Sequence, residues 1–214
     1  MTVERRIFSY ILTALAGFFL CLQMLNPALA DNRDDAQIFI DALADKAFVL
    51  IAKTDLTYDE RQTAFQELFS EGLDIDFVAK FVLGPYRRKA TDRQISDFAN
   101  VLEDYIILTY AYRFEEFAVE DLIITGTSLG KRDTVMVESK LDLPGDTPDI
   151  RIDWRTHKVD GYWKIIDISI EGLSMMTTQR EEYVAVIRQG GGKVDYLITA
   201  LRNKNKKLAL RNNN

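Results

Sequence analysis

Cysteine and histidine are nearly missing from this chain: its 214 residues contain one of each, Cys21 and His157. Chemistry that needs a Cys/His pair or a multi-histidine metal cluster therefore lacks its parts, which removes most hydrolase and zinc-enzyme classes. Positive charge is also short. Lys+Arg number 27 against Asp+Glu 33, a net charge of −6, so there is no general attraction to a phosphate backbone and nucleic acid is not an expected partner. No internal repeat or long linker divides the sequence. What it does have is 47% hydrophobic and 28% charged residues, the balance of a globular domain rather than a disordered chain.

Residues 1–30 read as a secretory signal peptide. Arg5 and Arg6 precede an apolar stretch from Ile11 to Leu22, and Ala28-Leu29-Ala30 places small side chains at the −3 and −1 positions of a cleavage site before Asp31. The rival, an uncleaved membrane anchor, draws on the apolar run from Ile7 to Leu25. Cys21 follows Phe18-Phe19-Leu20 rather than small residues, so a lipid-modified cysteine is not expected. Residues 31–214 are then one exported domain without cysteine, and only its apolar core can hold it together.

Hydrophobic periodicity predicts helices first. Residues 33–52 form one; Thr57-Tyr58-Asp59-Glu60 is a capping box opening a second, which ends at Gly72; a third runs from about Asp74 to Leu83 and stops at Gly84-Pro85. Thr91-Asp92-Arg93-Gln94 opens a fourth that can run to about Phe117, apolar or aromatic nearly all round from Tyr105 to Tyr112. From Leu122 the period changes to two. Val135, Val137, Leu141 and Leu143 alternate with charged residues, as do Ile150, Ile152 and Trp154, and Asp160-Gly161 marks a tight hairpin before a last strand from Tyr162 to Ile170. Four antiparallel strands in a meander are followed by a helix over about 177–189, a Gly190-Gly191-Gly192 break, a helix from Val194 to about Asn203, and a basic, Asn-rich end. The fold class is α+β, a four-stranded meander packed against N- and C-terminal helices.

Each chemical candidate has a plainer rival. His157 shares a strand face with Arg151, Asp153 and Arg155, which makes it a solvated residue. Gly190-Gly191-Gly192-Lys193 lacks the spacing, the following Ser or Thr and the preceding strand of a phosphate loop, and reads as a helix C-cap. Ser174 lacks a nucleophile-elbow pattern and reads as a helix cap. The acidic turn bearing Asp142, Asp146 and Asp149 lacks calcium-loop spacing. Arg87-Arg88-Lys89 and the basic tail with Arg202, Lys204, Lys206, Lys207 and Arg211 read as solvated faces, or else as docking points for acidic partners. A small exported hydrolase using Asp167 and Glu171 is the rival from another class, since glycoside cleavage needs paired carboxylates across a polar cleft; Asp167 in an Ile-rich strand beside Trp163 argues for a structural role instead. What remains is apolar: Val135, Val137, Leu141, Ile152 and Trp154 of the sheet are expected to oppose helices carrying Phe77, Phe81, Phe98, Leu102, Tyr105 and Tyr110, as core or as pocket.

Two segments take the reading further. Phe81-Val82-Leu83-Gly84-Pro85-Tyr86-Arg87-Arg88-Lys89-Ala90-Thr91, with Phe98 and Leu108-Thr109-Tyr110-Ala111 after it, and Gly161-Tyr162-Trp163-Lys164-Ile165-Ile166-Asp167 running into Glu171-Gly172-Leu173-Ser174-Met175 and Arg180, resemble the periplasmic phospholipid-binding family of MlaC and the toluene-tolerance proteins. The resemblance implies a periplasmic carrier, not an enzyme, that holds glycerophospholipid acyl chains between sheet and helices. Phospholipid is then the cargo, with no cofactor and no metal. It further implies shuttling between an outer-membrane lipoprotein complex and the lipid-binding ring subunit of an inner-membrane ABC transporter, with the carrier expected as a monomer. A hopanoid or other polycyclic lipid is the alternative cargo. Under this reading the lipid-binding residues are Phe77, Phe81, Tyr86, Phe98, Leu102, Tyr105, Ile106, Tyr110, Val135, Val137, Leu141, Ile152 and Trp154.

Overall fold

Local side-chain chemistry sets where most elements begin. In the computed structural model, which describes residues 27–111 and 121–212, helix α1 spans Pro27–Ala52 and α2 spans Tyr58–Gly72. Thr57 caps α2: its hydroxyl accepts from the Glu60 N–H while the Glu60 carboxylate accepts from the Thr57 N–H at 2.9 Å, so two orphan donors are satisfied reciprocally. Asp74 caps α3 (Ile75–Val82) by accepting from the Phe77 N–H at 2.9 Å. A 3-10 turn over Gly84–Arg88 follows. Gly84 enters it at φ +57°, and a Cβ there would lie 2.8 Å from Val184, so the turn requires glycine twice over. Thr91 and Gln94 form the second capping box, on α4 (Asp92–Tyr110). Residues 1–26 of the expected 1–30 leader and the 112–117 end expected of the fourth helix lie outside the described residues, while residues 27–30 begin α1.

The sheet is antiparallel in the order β1 (Asp121–Leu129), β2 (Val135–Asp142), β3 (Ile150–Val159), β4 (Tyr162–Ile170), β5 (Leu173–Ser174). The four expected strands form the meander, and β5 adds a two-residue hairpin arm. Asp160 and Gly161 both take positive φ, the tight turn read from the sequence. Glu171 and Gly172 repeat that geometry. Glutamate is an unusual first residue for such a turn; here its carboxylate accepts from the Arg151 N–H at 2.6 Å and its own N–H donates to the Arg151 carbonyl at 3.0 Å. The chain continues into α5 (Met175–Gln189) and α6 (Val194–Asn212).

Helix α6 corrects the expected basic tail, for it runs nine residues past Asn203. Leu201, Asn205, Leu208 and Asn212 share one face, at three- to four-residue spacing. The Asn205 amide donates to the Val101 carbonyl at 3.0 Å, and that of Asn212 to the Leu108 carbonyl at 2.9 Å. Buried asparagines thus occupy positions where the sequence pattern expects apolar side chains.

The apolar face of the sheet packs on α1 rather than on α3 and α4. Val135, Val137, Leu122 and Ile165 are buried with Ala36 and Ile40, and Leu141 and Trp154 pack against them. The later helices build a separate core around Phe98, Leu83, Ile187 and Leu197, and a smaller cluster joins Leu50, Phe65, Ile107 and Ala111. Strand β4 connects these layers. Lys164 donates to the Ser70 and Glu71 carbonyls at the end of α2, and the Asp74 N–H donates to the Ile165 carbonyl at 3.0 Å. A bulge then leaves Ile166 unpaired, because Ile165 pairs with Thr156 while Asp167 pairs with Arg155. Three consecutive residues, Ile165, Ile166 and Asp167, are buried as a result, which no regular strand alternation allows when one face is solvated. Among the described residues no helix is long and apolar enough to cross a membrane.

Candidate ligand-binding cavity

The three hydrophobic clusters do not merge, and the space between them is a cavity of about 360 Å³. Its walls come from four helices and one strand: Phe65 and Phe69 of α2, Val78 and Val82 of α3, Leu102, Ile106 and Tyr110 of α4, Met176, Gln179 and Tyr183 of α5, and Ile166, Ile168 and Ile170 of β4. The bulge aims Ile166 into this space while Ile165 stays with α1. Tyr110 and Ile170 are exposed and mark its mouth. A second cavity of about 250 Å³ lies between α1, α2 and the sheet, lined by Ile40, Leu43, Leu68 and Trp154 among others. Phe65, Phe69, Leu73 and Ile168 border both. The rings of Phe65 and Phe69 stack with centroids 6.4 Å apart, so one turn of α2 partitions two adjoining apolar chambers.

Polar groups on the walls are few. Asp167 is buried with both oxygens engaged: Oδ2 accepts from the Ser174 hydroxyl at 2.7 Å and lies 3.4 Å from Arg155 Nη2, and Oδ1 accepts from the Met176 N–H at 3.0 Å. Ser174 in turn caps α5 by accepting from the Thr177 N–H, the role read for it. Asp167 and Ser174 together fix the first turn of α5, which supplies Met175, Met176 and Gln179 to the cavity. Glu171 points instead to the Arg151 backbone, so the two carboxylates do not face one another across a cleft. Desolvation pushes the ionisation of the Tyr183 phenol far above its ordinary range, and the group is a neutral hydroxyl at any physiological pH.

Of the residues expected to bind ligand, Leu102, Ile106 and Tyr110 line the larger cavity and Trp154 the smaller. The indole N–H of Trp154 donates to Ser139 at 2.9 Å, which orients its ring. Phe98 is in solid core, edge-on to Tyr183 with centroids 5.8 Å apart. Phe81 lies under the Arg180 guanidinium, Phe77 against His157, and Tyr86 against the helical core. Tyr105 turns toward α6, where its hydroxyl accepts from Lys204 at 2.7 Å. Val135, Val137 and Leu141 pack in the α1 layer; Ile152 is half-buried on the same sheet face, paired with Ser139 and Ile170. The residues sequence reasoning missed are those of α2, α3, β4 and α5, among them Phe65, Phe69, Val78, Val82, Ile166, Ile168, Met176 and Tyr183. The Phe65, Leu68, Phe69 stripe was visible in the sequence, but nothing local shows that it borders space rather than side chains.

His157 departs from the solvated role expected of it. It is half-buried, with Nε2 2.8 Å from Asp74 Oδ2 and its ring edge-on to Phe77 at 5.2 Å, because the first turn of α3 lies across the outer face of β3. Gly190 does end α5, with the Gly192 N–H donating to the Ile187 carbonyl at 2.9 Å. Arg87, Arg88 and Lys89 are exposed. Among the described residues no three His, Cys, Asp or Glu side chains gather as a metal site.

Comparison with known proteins agrees with this geometry. The family model described as MlaC protein matches residues 41–203. The phospholipid-binding protein from Ralstonia solanacearum, solved in complex with a phospholipid, superposes with a TM-score of 0.72 at 22% sequence identity, covering 82% of this chain and 99% of that one. At that identity the likeness is one of fold.

Proposed function

The chain belongs to the MlaC family, and from that premise we propose that it is a periplasmic carrier that holds a glycerophospholipid by its acyl chains. The observation that carries this reading is the pair of adjoining chambers, walled almost wholly by apolar side chains and divided by Phe65 and Phe69. Each acyl CH₂ moved from water into such a space is worth about 0.8 kcal/mol, so a chain is held tightly without a charged clamp, and two chambers suit two chains. The bound phospholipid of the Ralstonia protein supports the same cargo. The carrier has no need of catalytic residues, which agrees with Asp167 being consumed by structural hydrogen bonds.

In this proposal residues 1–30 are the leader, removed after Ala30, and the mature domain moves lipid between an outer-membrane lipoprotein complex and the lipid-binding ring subunit of an inner-membrane ABC transporter. The test is mass spectrometry of the protein expressed from its full sequence. The intact polypeptide should begin at Asp31, and the organic extract should contain glycerophospholipid near one molecule per chain. An extract holding hopanoid in place of glycerophospholipid would change the cargo. A purified protein free of lipid, unable to take it up from vesicles, would sink the carrier reading.

A further inference from the structure

One row of side chains across the sheet shows where the smaller chamber ends. Ile168 of β4 pairs with Trp154 of β3, and Trp154 pairs with Val137 of β2. Ile168 borders both chambers, Trp154 borders the smaller alone, and Val137 is fully buried core. The space therefore reaches one strand past the divide and stops at the indole. In the neighbouring row Ile165 lines the same chamber, but its partner Thr156 is buried with its hydroxyl donating to the Val135 carbonyl at 3.0 Å. There the opening goes no deeper than β4. We propose that the smaller chamber measures the length of one acyl chain of the cargo, with Trp154 as its fixed stop. This rests on the lipid-carrier reading and adds chain-length selection to it.

Among the described residues, every other wall side chain of this chamber is pure hydrocarbon. Such side chains change rotamer to make room, whereas the indole N–H of Trp154 donates to Ser139 Oγ at 2.9 Å and the Ser139 hydroxyl donates onward to the Ile152 carbonyl at 2.7 Å. Ser139 has no exposed surface, so swinging the ring aside would leave the indole N–H without an acceptor in apolar surroundings. The ring is pinned to its own sheet. A chain that meets a wall unable to yield has to leave its surplus methylenes at the mouth. Relative to a bilayer, each methylene left in water lowers retention about fourfold, while a chain that is too short leaves the space beside Trp154 unfilled and forfeits its contacts. One chain length therefore fits best. Ala44 of α1 lines the same chamber, so its volume can be reduced from the helix side without touching the hydrogen bonds that hold the ring.

The experiment offers delipidated mature protein an equimolar mixture of phosphatidylcholines in vesicles, with palmitoyl at one position and lauroyl, myristoyl, palmitoyl, stearoyl or arachidoyl at the other, in both positional orders. Mass spectrometry then counts what the protein retains. Retention by wild type should peak at one length of the varied chain in at least one order, and fall about fourfold for each methylene beyond the peak. Trp154→Phe lengthens the chamber and should raise retention of the lipid two methylenes past that peak by about fifteenfold. Ala44→Leu should move the peak to a shorter chain. Thermal melts establish that each variant is folded; if Trp154→Phe is not, Ser139→Ala decides in its place, since it keeps the indole but frees it and should flatten the fall beyond the peak. Equal retention of all lengths by wild type overturns the proposal and leaves the carrier reading intact. So does a peak that stays where it was in folded Ala44→Leu or folded Trp154→Phe, or an unchanged fall in Ser139→Ala where that variant decides. Failure of wild type to retain any of the lipids would overturn both readings.

Discussion

Asp167 stands where strand β4 hands over to helix α5, and its two oxygens tie Ser174, Met176 and Arg155 together. Asp167→Ala should lower stability by about 2–3 kcal/mol, the worth of two or three partly charged hydrogen bonds, read from urea unfolding. It should also reduce retained lipid, since Met175, Met176 and Gln179 lose their anchor. Ile106 and Val137 make a sharper pair. Ile106 borders the larger cavity, so Ile106→Trp should fill open space and yield a folded, lipid-poor protein. Val137 is fully buried against α1, so Val137→Trp should cost about 1–3 kcal/mol by overpacking while the surviving protein still carries lipid. Lipid extraction alongside thermal melts checks both; equal lipid loss in the two variants would contradict the division between core and cavity. Both residues are apolar and both belong to amphipathic elements, so the difference between them had no local signature.

At the scale of elements, helix starts and hairpins were legible and helix ends less so. Thr57, Thr91 and Ser174 act within three residues of themselves, and a motif that closes on itself over so short a span reads directly from the chain. Helix α6 did not, because its continuation past Asn203 depends on carbonyls of α4 that lie about a hundred residues away in sequence. The Asn205 amide, the Asn212 amide and the Lys204 contact to Tyr105 join the two helices along their length. Deleting residues 204–214 should therefore destabilise the protein by about 2–4 kcal/mol, from two buried hydrogen bonds and the packing of Leu208. A solvated tail would leave the urea midpoint where it was.

For the whole molecule, the cavity exists because the α1–sheet layer and the later helices form separate cores, with α2 and β4 standing between them. A ligand that fills this seam joins the layers and should raise the stability of both. Binding to the native state alone adds about 2.7 kcal/mol when free lipid exceeds its Kd a hundredfold. Delipidated protein should thus melt at a lower temperature than protein as purified, and adding phospholipid vesicles should restore the difference. Coincident melting of the two forms would show that the chambers contribute no binding energy.

The sequence by itself determined the α+β class, the capping boxes, the Asp160-Gly161 turn, the β-strand parity and, through two longer segments, the family. All of these depend on residues close together in the chain or on the order in which patterns follow one another. Tertiary structure alone decided which apolar side chains enclose space. Hydrophobic burial is non-directional, so Phe98 in solid core and Ile106 at the cavity satisfy the same pattern equally well. The bulge that turns Ile166 toward the helices depends on pairing between β3 and β4, the His157 contact on where α3 crosses the sheet, and the cavity itself on what four separate helices and a strand leave unfilled.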